Sequence, residues 1–105
     1  MSHQNAGTLK VNGFSLNMAK ASLQKNGREI HLTPKEVKVL ALLMQNAGQV
    51  VSRKTLMNRV WETNYLEDTR TLDVHICWLR QKVEDNPKIP QRIITKRGRG
   101  YLLKV

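Results

Sequence analysis

The sequence predicts an α+β domain in which a small antiparallel sheet is followed by three helices and a closing β-hairpin. Three observations carry this. Residues 9–32 alternate in polarity and are broken by Asn12-Gly13 and Asn26-Gly27, dipeptides that tolerate positive φ and so mark tight hairpin turns. The run Thr33-Pro34-Lys35-Glu36 has the form of a helix start. Near the end, Arg97-Gly98-Arg99-Gly100 separates two strand-like stretches.

Taken in order, Leu9-Lys10-Val11, Phe14-Ser15-Leu16, Ser22-Leu23-Gln24 and Arg28-Glu29-Ile30-His31-Leu32 are short enough for the strands of one sheet, with Phe14, Leu23 and Ile30 as core anchors. The polar start, Met1-Ser2-His3-Gln4, lacks any pattern. Residues 1–8 are therefore expected to be disordered or an expression remnant, with the domain running from 9 to 105. In the first helix Thr33 caps the free amides, Glu36 returns a bond to the cap, and Leu32 and Val37 form a hydrophobic staple. Val37, Leu40, Ala41, Met44 and Ala47 make its buried face, and Gly48 stops it. A second helix runs from its cap at Ser52 to about Trp61, and an acidic loop with Glu62, Glu67 and Asp68 follows. The third helix opens near Thr69 and ends before Asn86-Pro87. Its Leu72, Ile76, Leu79 and Val83 form one apolar stripe. Val74, Cys77, Trp78 and Gln81 fall on the opposite face, an unusual place for a tryptophan.

Charge narrows the function. Eighteen Lys and Arg against eight Asp and Glu give a net charge of +10 over 105 residues, which favours polyanionic partners. Beyond Asp85 there is no acid, while Lys88, Arg92, Lys96, Arg97, Arg99 and Lys104 follow. The absence of an apolar run near the ~18 residues a span needs argues against a membrane protein, and the single Cys77 fits a reducing, cytoplasmic setting. Catalysis finds no support. His75 and Cys77, two apart on a helix, point in different directions and would not share a metal. The glycine-rich tip leads into a strand rather than a helix, so it is not a phosphate-binding loop of the nucleotidase kind. Neither a cofactor nor a metal is expected, and the chain is expected to be a binding module rather than an enzyme.

Three helices and a two-stranded wing make a winged helix-turn-helix, whose third helix fits the major groove and whose cationic wing tip reaches a minor groove or backbone. The segments Leu32-Thr33-Pro34-Lys35-Glu36, Val51-Ser52-Arg53, Val60-Trp61, Arg70-Thr71-Leu72-Asp73-Val74-His75-Ile76, Leu79-Arg80-Gln81-Lys82 and Arg97-Gly98-Arg99-Gly100-Tyr101 resemble, in order and spacing, the effector domain of OmpR/PhoB-type response regulators. The resemblance spans about residues 9–103. It implies sequence-specific binding of double-stranded DNA by a two-component transcriptional regulator whose receiver domain is absent here. Binding would be to direct-repeat half-sites, by a chain monomeric alone and dimeric head-to-tail on DNA. The loop bearing Glu62, Glu67 and Asp68 would touch RNA polymerase.

Position by position, the resemblance places Arg70 and Arg80 near the DNA backbone, the alternative being intrahelical pairing with Asp73 or Glu84. It places Arg97 in the minor groove, His75 beside a phosphate, and Trp61 and Tyr101 as supports of the DNA-facing surface, or else as packing residues. Lys82 and Lys96 join the DNA-binding set, and Arg99 does so on its own position at the tip. Relatives often carry basic or polar residues where Cys77 and Trp78 stand, so base preference cannot be borrowed. Trp78 is expected either to meet base edges, thymine methyls or sugars together with Val74, or to fold back against the wing. Other functions consistent with the charge are a basic RNA-binding or ribosome-associated protein and an adaptor that binds protein through Trp78 and Cys77.

Overall fold

The computed structural model describes residues 7–63 and 69–105. Four antiparallel strands come first: β1 (Thr8–Val11), β2 (Phe14–Asn17), β3 (Ser22–Lys25) and β4 (Arg28–His31), paired in sequence order. Two-residue loops join β1 to β2 and β3 to β4. Asn12 and Gly13 have φ of 42° and 88°, and Asn26 and Gly27 of 53° and 77°, the left-handed pairs that match the twist of a hairpin. Phe14, Leu16 and Leu23 turn inward and are fully buried, while Ile30 packs at the edge of the core.

Helix α1 (Pro34–Gln45) follows with its capping box complete: Glu36 N–H donates to Thr33 Oγ1 at 3.2 Å and Thr33 N–H donates to Glu36 Oε1 at 2.8 Å. Its burial exceeds the single face that periodicity predicts. Val39, Leu42 and Leu43 are buried beside Val37, Leu40, Ala41 and Met44, because α1 packs against β1, both later helices and the last strand. Ala47 lies beyond the helix and is only half-buried, and Gly48 takes a φ of 82°.

Strand β5 (Val51–Ser52), α2 (Arg53–Trp61), α3 (Arg70–Val83), β6 (Ile93–Lys96) and β7 (Gly100–Leu103) complete the fold. Residues too few to show any alternation make β5, yet it pairs with β7 and forms a three-stranded sheet in the order β5-β7-β6. The pairing needs Gly100. A Cβ there would stand 2.1 Å from the Val51 carbonyl oxygen, and its φ is 146°. The wing is thereby stitched to the start of α2, whose Ser52 Oγ accepts from Thr55 N–H. Leu72, Ile76, Leu79 and Val83 of α3 are all buried, as their stripe predicts. Lys25 reaches from β3 to the end of α3, where its ammonium donates to Val83 O at 2.6 Å and to Asp85 at 2.8 Å. That places a cation on the free carbonyls of a helix C-terminus. Among the described residues no helix is long and apolar enough to cross a membrane.

Candidate nucleic-acid interface

At about 100° per residue, the buried stripe of α3 leaves Arg70, Val74, Cys77, Trp78 and Gln81 on the outer face, and all five are exposed. One flank of this face holds Arg80 and the other His75 and Lys82. Trp78 is 46% exposed and Val74 41%, so the indole stands in solvent. Its ring neighbour is His75, with centroids 5.0 Å apart, and His75 meets Trp61 at the end of α2 edge-on, also at 5.0 Å. Since a carbonyl oxygen only accepts, the 2.7 Å contact between His75 Nδ1 and Thr71 O places the proton on Nδ1. Trp61 is half-buried, with the Lys35 ammonium 5.8 Å over its ring.

The other flank is fastened to the wing. Arg80 Nε and Nη2 donate to Ile93 O at 3.1 and 2.8 Å, Nη2 donates to Thr95 Oγ1 at 2.8 Å, and the guanidinium lies 5.8 Å over the Tyr101 ring. Glu84, just past α3, accepts from the backbone N–H groups of Gln91, Arg92 and Ile93 at 2.7 to 3.1 Å. Arg80 and Glu84 thus each bond the wing segment, where the sequence offered Glu84 as a helical partner for Arg80. At the wing tip Lys96, Arg97 and Arg99 are exposed, with no electrostatic rivals among the described residues beyond Asp85.

Three residues from the sequence-derived set turn their polar ends inward. Tyr101 is buried, and its hydroxyl donates to Asp73 Oδ1 at 2.7 Å. Lys82 donates to Glu36 at 2.6 Å, a carboxylate 1% exposed. Arg80 serves the wing as described. The Tyr101 hydroxyl proton is thus committed to Asp73, whereas Arg80 keeps Nη1 and the one-third-exposed Lys82 keeps further ammonium protons beyond these internal bonds.

Arg53, which the sequence reading quoted without giving it a role, organises the support beneath this face. Its guanidinium bonds Asp73 through both oxygens at 2.7 and 3.0 Å, and also Thr69 and Tyr101. The first turns of α2 and α3, the residue preceding α3, and the wing strand β7 thus meet at one ion pair. The Arg53 hydrogen bond, helped by Tyr101, holds the Asp73 carboxyl below its usual range against the opposing effect of burial. Burial, then the bond to Asp73, pushes the Tyr101 phenol up. The available sequence signal was Ser-Arg opening one helix and Asp in the first turn of the next.

Glu62, which ends α2 with a φ of 56°, is exposed. Glu67 and Asp68 lie outside the described residues. Among the described residues no cluster of three or more His, Cys, Asp or Glu is placed to hold a metal.

Residues 27–103 match the family model described as transcriptional regulatory protein, C terminal. The sensory transduction protein RegX3 of Mycolicibacterium smegmatis is 40% identical over 98 residues, covering 93% of this chain and 43% of that protein. The chain thus spans less than half the length of this curated relative. Among solved structures, the DNA-binding domain of CpxR from E. coli superposes with a TM-score of 0.80 at 36% identity, covering 92% of this chain and 95% of that one. The Klebsiella pneumoniae RstA DNA-binding domain, solved in complex with the RstA box, gives 0.83 at 29% identity, covering 92% and 96%.

Proposed function

The chain belongs to the family of C-terminal domains of transcriptional regulatory proteins, and from that premise we propose that it is the DNA-reading effector domain of an OmpR/PhoB-type two-component regulator. The carrying observation is the outer face of α3, which is solvent-open over Arg70, Val74, Cys77, Trp78 and Gln81 and bordered on one flank by a wing tipped with Lys96, Arg97 and Arg99. The helix enters the major groove and its outer face meets base edges. The wing reaches the adjacent minor groove, where Arg97 reads width and potential and Arg99 and Lys96 meet phosphates. Arg70, His75 and Trp61 contact the backbone beside the helix. Tyr101, Arg80 and Lys82 are left out of the contact set, since their polar ends are bonded inside the protein.

The chain binds direct-repeat half-sites head-to-tail in the cytoplasm, and the loop that starts at Glu62 and carries Glu67 and Asp68 faces RNA polymerase. In a longer regulator of this type, a phosphorylated receiver domain would govern when this happens. The family is non-enzymatic, and the domain needs no cofactor for this task. Selection of bound sites from a random duplex library, followed by gel-shift competition between the selected duplex, a scrambled duplex and single-stranded RNA, tests the reading. A chain that prefers the RNA is a basic RNA-binding protein instead, and one that binds neither the RNA nor any duplex is left with the protein-binding adaptor role.

A further inference from the structure

Among the described residues four large apolar side chains are exposed, and two of them, Val74 and Trp78, share the outer face of α3. Their i, i+4 spacing sets one above the other. Trp78 is also not free to swing. His75 lies against it at 5.0 Å, His75 is wedged in turn against Trp61, and the Thr71 carbonyl pins the imidazole through Nδ1 at 2.7 Å. An indole braced on one side in this way has less rotamer entropy to give up when a ligand arrives, which favours tight and selective contact. Around these two residues the face offers a thiol and an amide, and its one cation, Arg70, stands a full turn before Val74 at the start of the helix. Gln81 Nε2 turns toward Cys77 Sγ, 3.9 Å away.

This chemistry suits a methyl group better than the O6/N7 pair of guanine, which arginine reads with two donors. In the major groove the available methyl is the C5 methyl of thymine, and 5-methylcytosine presents the same group at the same position. The charge selects the occupant. A net of +10 and the exposed cations of the wing favour a polyanion carrying apolar groups over an apolar protein surface. Resting on the DNA-reading function proposed above, we infer that Val74 and Trp78 form a methyl-reading pair selecting 5-methylpyrimidines, with His75 as the positioning residue that holds Trp78 in place.

The test uses the selected duplex, prepared with thymine or with uracil at each position, and fluorescence anisotropy at fixed salt. Replacing thymine by uracil beneath α3 weakens binding about three- to fourfold per buried methyl, and 5-methylcytosine there binds more tightly than cytosine. Trp78→Ala and Val74→Ala each shrink the thymine-to-uracil ratio toward one. Trp78→Phe guards against a folding defect and retains most of it. His75→Ala narrows the ratio while His75→Phe preserves it, a pattern that a merely structural histidine would not give. Equal affinity for thymine and uracil at every position, with the selected duplex still preferred over a scrambled one, overturns the methyl reading and leaves the DNA-reading function standing. A ratio undiminished in both alanine variants also overturns it, by placing the methyl contact elsewhere. Loss of all duplex preference in the unaltered chain removes both.

Discussion

Lys82→Met separates a structural lysine from a DNA-binding one. In the folded domain Glu36 is 1% exposed, and among the described residues its Oε1 receives the Lys82 ammonium at 2.6 Å and the Thr33 N–H at 2.8 Å. Methionine keeps the length and apolar stem of the side chain and deletes the charge, stranding a carboxylate among core residues. Removing one partner of a fully buried pair costs about 3–5 kcal/mol. Lys82 itself is 34% exposed, so water reaches the site and the expected loss falls to about 2 kcal/mol. For a domain of this size that lowers the thermal midpoint by about 10 °C. The double variant Lys82→Met/Glu36→Gln should regain more than half of the loss, because glutamine still accepts from Thr33 but carries no charge. Calorimetry gives the midpoints, and DNA affinity should change by less than about twofold, the effect of one distant charge. If the midpoint stays within about 2 °C while DNA affinity drops tenfold and the salt slope falls by about one, Lys82 is a phosphate ligand and the reasoning fails.

Other outcomes follow from the same geometry. Asp73 is held ionised by Arg53, so its folded value lies below its unfolded one. Its contribution to stability is full above the unfolded value and is lost as pH falls through the folded value. Urea midpoints between about pH 2 and 6 should therefore drop less steeply for Asp73→Asn than for the unaltered chain; parallel curves would remove Asp73 from the acid response. Gly100→Ala drives a Cβ into the Val51 carbonyl and should cost about 3 kcal/mol, and an unchanged melting curve would contradict the β5–β7 stitch. Arg97→Ala should weaken binding more at A·T-rich than at G·C-rich flanks, and equal losses would reduce Arg97 to a backbone contact. Replacing Glu67 and Asp68 together by alanine should leave DNA affinity intact or slightly raised while lowering transcription activation; loss of DNA binding would make the loop a support for α3.

What could be seen in the sequence was what neighbours in the chain decide together. The capping box at Thr33 and Glu36, the Asn-Gly hairpins and the α3 stripe involve partners within a few residues, and each appears where its pattern put it. The two-residue β5 could not be seen, since it exists only because Gly100, 48 positions after Ser52, lets the strands approach. Nor could the inward commitments of Tyr101, Lys82 and Arg80. Their partners lie 28, 46 and 13 or more residues away, and helical position alone could not distinguish a cation turned to a buried acid from one turned to a phosphate. Trp78 was different: its place opposite the buried stripe was legible, and the structure resolved the choice between solvent and wing in favour of solvent.

Glu84 gives the domain a fixed gauge. One buried carboxylate gathers three successive backbone amides at the foot of the wing, while Arg80, one turn earlier on α3, grips Ile93 and Thr95. These bonds, together with the β5–β7 pairing and the buried Ile93 and Leu103, tie the third helix to the foot of the wing across the intervening loop. Residues 85–90 can then be lengthened without altering the span from recognition helix to wing tip, whereas Glu84→Ala should let it vary and blur the preferred distance between major-groove and minor-groove contacts in selected sites. A domain braced like a caliper resists stretching to suit its DNA. On the proposed docking, operators with altered internal spacing would have to bend or overtwist to be read, and the stiffness of the DNA itself would become part of the recognition code.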